Sequence, residues 1–326
     1  MGWMSNHVLD IRVWDVNHGS AMFLHVGRRD IVIDAGANSD FSPAWWISNR
    51  FRRNKIDYMI ISHPHHDHIE DLDAFKEEDL LPEIIQRPKQ ARDILEEKIE
   101  EEDDEEYIED VEVYFELDDY SGDPDPTPSD PEWAGVEKSE RRFRSDGGHR
   151  SGVTFHNFSA PESGWGEGNY ERLNNMSRMT VVNCRGFKLV TAGDMLEEGI
   201  EGLIQKDTAM EACEDADILI APHHGRDSSY VHEFVTHVDP DIVIFSEKSE
   251  GDDQNTVPTK YGNIANGATV KNESTGETNE RKVLTTRSDG RIRIQANSNN
   301  DWKVSHSPSH TEELAESRKY KRNHSY

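Results

Sequence analysis

Short apolar runs broken by Gly, Asn and Asp set the pattern along most of this chain. Residues 7–16 and 21–26 alternate apolar and polar positions, which predicts two strands paired as a hairpin around Asn17-His18-Gly19-Ser20. Residues 30–34 form a short apolar strand closed by Ala35-Gly36. Residues 43–53 read as a helix, with Trp45, Trp46 and Ile47 supplying its apolar side. Residues 56–62, IDYMIIS, have the continuous apolar character of a buried strand, and they run straight into His63-Pro64-His65-His66-Asp67-His68.

The pattern then lapses. Residues 97–116 are dominated by Glu and Asp, and residues 118–132 carry Pro124, Pro126, Pro128 and Pro131 among Ser, Gly and Asp. A segment of that composition buries too little apolar surface to offset its ordering entropy. Residues 99–150 are therefore expected to be an acidic, partly disordered insertion without a catalytic role. Strands resume at 153–158, 177–184 and 187–192, the last two turned at Arg185-Gly186 and followed by Gly193-Asp194. A helix over 196–212 precedes the buried strand 216–221, which ends at Pro222-His223-His224-Gly225. A helix over 228–237, a strand over 241–246 and a hairpin over 283–294 complete one domain, residues 1–296. Residues 297–326 are polar and are expected to form a disordered tail.

Composition narrows the setting. The net charge is -29, from 65 acidic and 36 basic residues, the latter 22 Arg and 14 Lys. An acid-rich, lysine-poor surface suits a halophilic cytoplasm, where salt screens self-repulsion. It repels nucleic acid at ordinary ionic strength, although metals in a site invert the field locally. Two cysteines, Cys184 and Cys213, give no disulfide framework and fit a reducing compartment. Residues 1–26 lack a basic region followed by an apolar run, and no apolar stretch approaches the roughly 18 residues that span a bilayer. The expectation is a cytoplasmic protein without membrane insertion.

Three clusters at strand ends carry the candidate chemistry. The spacing of His63 and His65 turns both side chains toward one metal, and Asp67 and His68 then serve a second. Asp194, just past a buried strand, is placed to bridge two cations, and Gly193 permits close backbone approach. In Pro222-His223-His224-Gly225, neighbouring side chains at a strand end point to opposite sides, so one histidine faces the metals and the other does not. The expectation sets His223 on the metal and His224 beside the leaving group as a catalytic residue, with Asp67 and Asp194; the sequence leaves the reverse order of the pair open. Imidazole and carboxylate ligands suit two divalent transition metals, Zn²⁺ first and Mn²⁺ second. Asp34 is either a hydrogen-bonding support for a ligand histidine or a strand-end turn residue. Tyr261 either meets substrate or packs. His18 reads as an exposed turn residue, and Trp14, Trp45 and Trp46 read as packing.

His63-x-His65-x-Asp67-His68 resembles the signature of the metallo-β-lactamase superfamily. The wider pattern resembles the hydrolase domain of the competence protein ComEC and its free-standing relatives. It runs through Asp15-Val16-x-x-Gly19-x-Ala21, Ile33-Asp34-Ala35-Gly36, the histidine motif, Asn174-Asn175-x-Ser177, Thr191-Ala192-Gly193-Asp194-Met195, Pro222-His223-His224-Gly225 and Thr286-Arg287-Ser288-Asp289-Gly290. These matches span most of the chain outside the insertion and tail. The resemblance implies an α/β metallo-β-lactamase fold, an αββα sandwich of two mixed β-sheets flanked by helices. Many superfamily members carry a further histidine on the first metal. Asn174-Asn175-x-Ser177 stands at that place, which marks Asn175 and Ser177 as supporting or substrate-facing residues. Glu70-Asp71 replaces the Gly-Gly that often follows the histidine motif.

The implied reaction is hydrolysis by a hydroxide held at the metal pair, with a phosphodiester, in a nuclease-like reaction on nucleic acid, as the leading substrate. The same fold also supports hydrolysis of a small ester, lactone or phosphocholine-type substrate. A metal-stabilised interaction module without turnover is the non-enzymatic alternative. No Ser-His-Asp nucleophile pattern or phosphate-binding Gly-rich loop competes with the metal clusters.

Overall fold

The computed structural model of the chain describes residues 7–51, 55–100, 102–121, 138–143, 152–247, 255–297 and 301–307. The strands of the first half are β1 (His7–Val13), β2 (Ala21–Val26), β3 (Arg29–Ala35), β4 (Tyr58–Ile60), β5 (Ile85–Gln86), β6 (Lys138–Phe143) and β7 (Val153–Ser159). Those of the second half are β8 (Arg178–Cys184), β9 (Phe187–Thr191), β10 (Ile218–Ile220), β11 (Ile242–Phe245), β12 (Ala268–Asn272), β13 (Thr278–Arg281), β14 (Val283–Thr285), β15 (Arg291–Asn297) and β16 (Trp302–Ser307). Among the described residues they make a nine-stranded sheet, ordered β13-β12-β16-β15-β1-β2-β3-β4-β5, and a seven-stranded sheet, ordered β14-β11-β10-β9-β8-β7-β6. Both are mixed. β3, β4 and β5 run parallel in the first, and β9, β10, β11 and β14 run parallel in the second.

Period-two alternation along the strands builds the layers. Ile31, Ile33, Tyr58 and Ile60 of the first sheet share one buried cluster with Leu189, Ile218, Ile220, Ile242 and Ile244 of the second, which fills the space between the sheets. The intervening residues point outward. Val32 and Met59 pack with Trp14, Trp46 and Phe75 on one outer face, and Val190, Leu219 and Val243 pack with Leu203, Phe234 and Tyr261 on the other. Helices cover both outer faces, and the result is the αββα sandwich expected of the chain. The carboxyl ends of β3, β4, β9 and β10 all lie at the site edge, where open α/β sheets place ligands.

The acidic segment divides in two. Its first part, expected to lie outside the core, folds as α1 (Arg92–Glu100) and α2 (Glu105–Tyr120). Tyr107, Val111, Tyr114 and Leu117, at helical spacing, join the outer core of the first sheet. Asp104 caps α2 by accepting from Glu106 N and Tyr107 N. Apart from the buried Asp110, the acidic positions lie toward the other face of the helix, so its composition hides an amphipathic pattern. Of the rest of the expected insertion, β6 is described, while residues 101, 122–137 and 144–150 lie outside the described residues. The expected tail also contributes structure: β16 pairs with β15 and β12, while 308–326 lie outside the described residues. The helix expected over 43–53 is a short α-turn at Pro43–Trp46 continuing as a wider turn over Ile47–Phe51.

Because Leu117 is 2% exposed in this core, Leu117→Ala should destabilise the protein by about 2–5 kcal/mol. Denaturant unfolding reads this directly, and an unchanged midpoint would show that α2 does not belong to the core. Asp73 faces Asp110 of α2, its backbone N–H donating to Asp110 Oδ1 at 3.1 Å. Burial and the Asp110 charge push its carboxyl from 3.8 up to about 6. The native state thus prefers the protonated form, so this group's stability contribution is full below pH 3.8 and is lost as the pH rises through about 6. Asp73→Asn should raise the melting temperature at pH 7 in low salt, with the gain fading as the pH falls to 4. Equal gains at pH 4 and 7 would rule out this electrostatic origin.

Candidate metal centre

Each cluster is fixed by backbone geometry at its strand end. Asp34, at φ 57°, closes β3 in the left-handed region. Its carboxylate accepts from Ser62 N at 2.7 Å and Ser62 Oγ at 2.9 Å, which ties the end of β3 to the end of β4. Its Oδ2 also meets His68 Nδ1 at 2.9 Å. Asp34 therefore orients His68 and is a strand-end turn residue at once. A short helical turn over His66–Ile69 presents Asp67 and His68. After β9, Gly193 takes φ 52°, and a Cβ there would lie 2.7 Å from Ser62 Cβ. Asp194 N donates to Ser177 Oγ at 3.1 Å, and Leu196 N donates to Asn175 Oδ1 at 2.8 Å. Ser177 and Asn175 thus hold the Asp194 loop.

The turn after β10 is more strained. His223 and His224 both adopt left-handed backbone angles (φ 50° and 57°), and Gly225 follows at φ 83°, where a Cβ would collide with the Phe245 ring. Two consecutive non-glycine residues in this region cost about 1–3 kcal/mol each. The turn is held by His223 N donating to Gly193 O at 2.9 Å.

Asp67, His68, Asp194 and His224 each offer a ligand atom, and these atoms lie within 4.8 Å of one another. His68 Nε2 is 3.1 Å from Asp194 Oδ1, and His224 Nε2 is 3.2 Å from both Asp67 Oδ2 and Asp194 Oδ2. Beside them, His63 Nε2 and His65 Nδ1 are 2.9 Å apart, and the His63 and His68 rings are 4.2 Å apart. Ligand atoms about 2.0 Å from a tetrahedral cation stand roughly 3.3 Å from each other, so these spacings suit metal ligation. The buried His68 Nε2 and His224 Nε2 have no hydrogen-bond partner despite these close carboxylates. Their opposite nitrogens are occupied: His68 Nδ1 by Asp34, and His224 Nδ1 by Ser246 O at 2.8 Å. Anchored imidazoles with inward lone pairs are the arrangement a divalent cation needs, and the donor set fits one.

The electrostatics agree. Burial pushes His63 well below its ordinary value, helped by His68 and His65, and brings His65 down to about 4, so both are neutral and free to ligate. For His68 and His224, burial is outweighed by carboxylates, chiefly Asp194, which hold His224 at about 9 and raise His68. Asp67 and Asp194 are correspondingly lowered, as the two imidazoles outweigh burial. Without metal, these imidazoles carry protons that a cation would replace.

His223 stands differently. It is 3.8 Å from Asp194 Oδ2, and burial brings it down to about 4. Its Nδ1 is 3.2 Å from Ser229 Oγ, and its Nε2 faces Tyr170 Oη at 3.3 Å and Arg226 Nη1 at 3.2 Å. The contacts of the histidine pair are thus the reverse of the sequence expectation. Tyr170 and Arg226 were not anticipated at the site, and His18, expected near its mouth as an exposed turn residue, takes part in it. The Tyr170 ring stacks on His65 at 5.3 Å, and His18 lies 3.5 Å from Asp67 Oδ2 with its ring 4.6 Å from that of His224. Only Arg226 had a local signal, as the residue directly after Pro222-His223-His224-Gly225. Tyr261, by contrast, packs in the core against Phe245 and Tyr230.

The family model described as the metallo-beta-lactamase superfamily matches residues 14–157. A search of curated proteins found no match. Among solved structures, the chain is similar to the metallo-beta-lactamase fold protein YhfI from Bacillus subtilis at 13% identity, with 87% of this chain and 99% of that chain covered and a TM-score of 0.44. It is similar to the short form of human tRNase Z at 13% identity, covering 74% of this chain and 93% of that one, with a TM-score of 0.44. A metallo hydrolase from the archaeon Ignicoccus hospitalis aligns at 12% identity over 87% and 98% of the two chains, with a TM-score of 0.41. Sheet order, layering and the superfamily match together show that the chain has the metallo-β-lactamase fold.

Proposed function

We propose that the chain is a two-metal hydrolase that cleaves phosphodiesters, with nucleic acid as the substrate class suggested by its ComEC-like motifs. The observation that carries this reading is the buried cluster of Asp67, His68, Asp194 and His224, whose free imidazole nitrogens face shared carboxylates. His63 Nε2, His65 Nδ1 and Asp194 would hold one cation. Asp67, His68 Nε2, His224 Nε2 and Asp194 would hold the other. Zn²⁺ suits this donor set best and Mn²⁺ next. When bound, the cations supply a hydroxide nucleophile at neutral pH and neutralise charge on the phosphoryl oxygens.

The remaining roles fall to the chain's own residues. Asp34 and the Ser246 carbonyl orient His68 and His224, and Ser177 and Asn175 fix the loop of Asp194. His223, neutral and beside Asp194, would hydrogen-bond the leaving oxygen and exchange its proton. This exchanges the roles first expected of His223 and His224. No helix among the described residues is long and apolar enough to cross a membrane. Both cysteines are free and buried, in keeping with a cytoplasmic setting.

Protein purified without chelator should carry about two transition metals per chain. His224→Ala and Asp194→Ala should lose metal and activity together. His223→Ala should keep metal while turnover of a generic phosphodiester falls about 100-fold or more. Metal loss confined to His223→Ala would reverse the assignment within the pair, and wild-type rates for both Asp67→Ala and Asp194→Ala would refute the hydrolase reading. Asp34→Asn should weaken metal affinity about 10- to 100-fold through His68. A chelator titration monitored by metal release measures this, and an unchanged affinity would remove Asp34 from the supporting set.

A further inference from the structure

In a chain with 65 acidic and 36 basic residues, a guanidinium normally finds a carboxylate. Arg226 does not pair with one among the described residues. Its Nη1 faces His223 Nε2 at 3.2 Å and its Nη2 faces His18 Nε2 at 3.4 Å, and its buried Nε has no hydrogen-bond partner. The cation is held at the edge of the cluster by two imidazoles, with no carboxylate in direct contact among the described residues. An anion entering the site would meet it there, and a guanidinium matches phosphoryl oxygens in geometry as well as charge.

A second feature adjoins it. Tyr170 is the one large hydrophobic side chain exposed among the described residues, at 51%. Its ring lies nearly parallel to that of His65, with centroids 5.3 Å and planes 23° apart. Its hydroxyl reaches the same His223 nitrogen as Arg226 does. An aromatic ring backed by a fixed imidazole, and still half exposed, is a stacking platform. Leaving it bare costs burial of apolar surface unless a planar ligand covers it.

We infer that Tyr170 and Arg226 form a subsite for one nucleotide unit, with the base next to the scissile bond stacked on Tyr170 and a non-bridging oxygen of its phosphodiester on Arg226. The inference rests on the phosphodiesterase reading above and narrows its substrate to nucleoside diesters. Neither residue belongs to the metal-ligand set, so both can be altered with metal content as an independent check.

The test uses the full metal-loaded chain with two substrates, thymidine 5′-(p-nitrophenyl phosphate) and the same ester of abasic deoxyribose. The base should lower KM about tenfold in the wild type. Tyr170→Ala should abolish that difference and Tyr170→Phe should retain it. Arg226→Ala should raise KM for both esters about tenfold or more. Metal content should stay at the wild-type level in all three variants. The subsite is overturned if the wild type handles the two esters alike, or if Tyr170→Ala keeps the preference for the base. Hydrolysis of neither ester by fully metallated wild type would be a separate result, and it would count against the phosphodiesterase reading itself.

Discussion

Asp67, Asp194, His68 and His224 meet at the end of two sheets, almost out of water, and the rest of the metal end is arranged around that meeting. Burying a carboxylate costs several kcal/mol unless charge and hydrogen bonds compensate it. Here the compensation comes from imidazoles that the same carboxylates keep protonated in the absence of metal. A cation takes over the task by displacing those protons, so metal affinity and pH are coupled by construction. The outer nitrogens of His68 and His224 are already engaged by Asp34 and the Ser246 carbonyl. Little side-chain freedom remains to be lost when a metal binds.

The cost of this arrangement appears in the backbone. Consecutive left-handed residues at His223 and His224 are unfavourable, yet they bring two neighbouring imidazoles to one side, with ring centroids 6.2 Å apart. An extended chain would have turned one of them away. The strain thereby adds a neutral, hydrogen-bonding histidine beside one in the candidate metal cluster. Gly225 completes the turn where only hydrogen fits against Phe245.

This turn also explains what the sequence could and could not disclose. The clusters that the structure brings together were legible because each is local: His63, His65, Asp67 and His68 follow one buried strand, and Asp194 and the histidine pair each follow another. The alternation rule for side chains assumes an extended backbone, so it could not say which of His223 and His224 faces inward once the chain leaves that conformation. Helix α2 was obscured for a different reason. Its buried positions, Tyr107, Val111, Tyr114 and Leu117, keep helical spacing, but the acids between them dominate the composition. Tyr170 and His18 reach the site through contacts far apart in sequence, such as those to His223 and Arg226, which span 53 and 208 residues. No pattern within a window could have revealed them.

The overall charge and the local charge of the site pull in opposite directions. A net charge of -29 repels a polyanion at a distance, but salt confines that repulsion to roughly 8–10 Å at ordinary ionic strength. Within that range the mouth of the site presents a different field. Arg226 sits on one side without a carboxylate partner. Lys98 of α1 lies near enough for Asp67 and His65 to sense its charge, with its Nζ 3.1 Å from Tyr107 Oη. Two bound cations would add to the positive potential. Under the phosphodiesterase reading proposed above, an anionic diester at the mouth would be attracted over the last few ångströms, while more distant phosphates of a long chain would still face acidic helices. On that reading the acidic surface would restrict which substrates arrive, and Arg226, Lys98 and the bound cations would determine what is held once there.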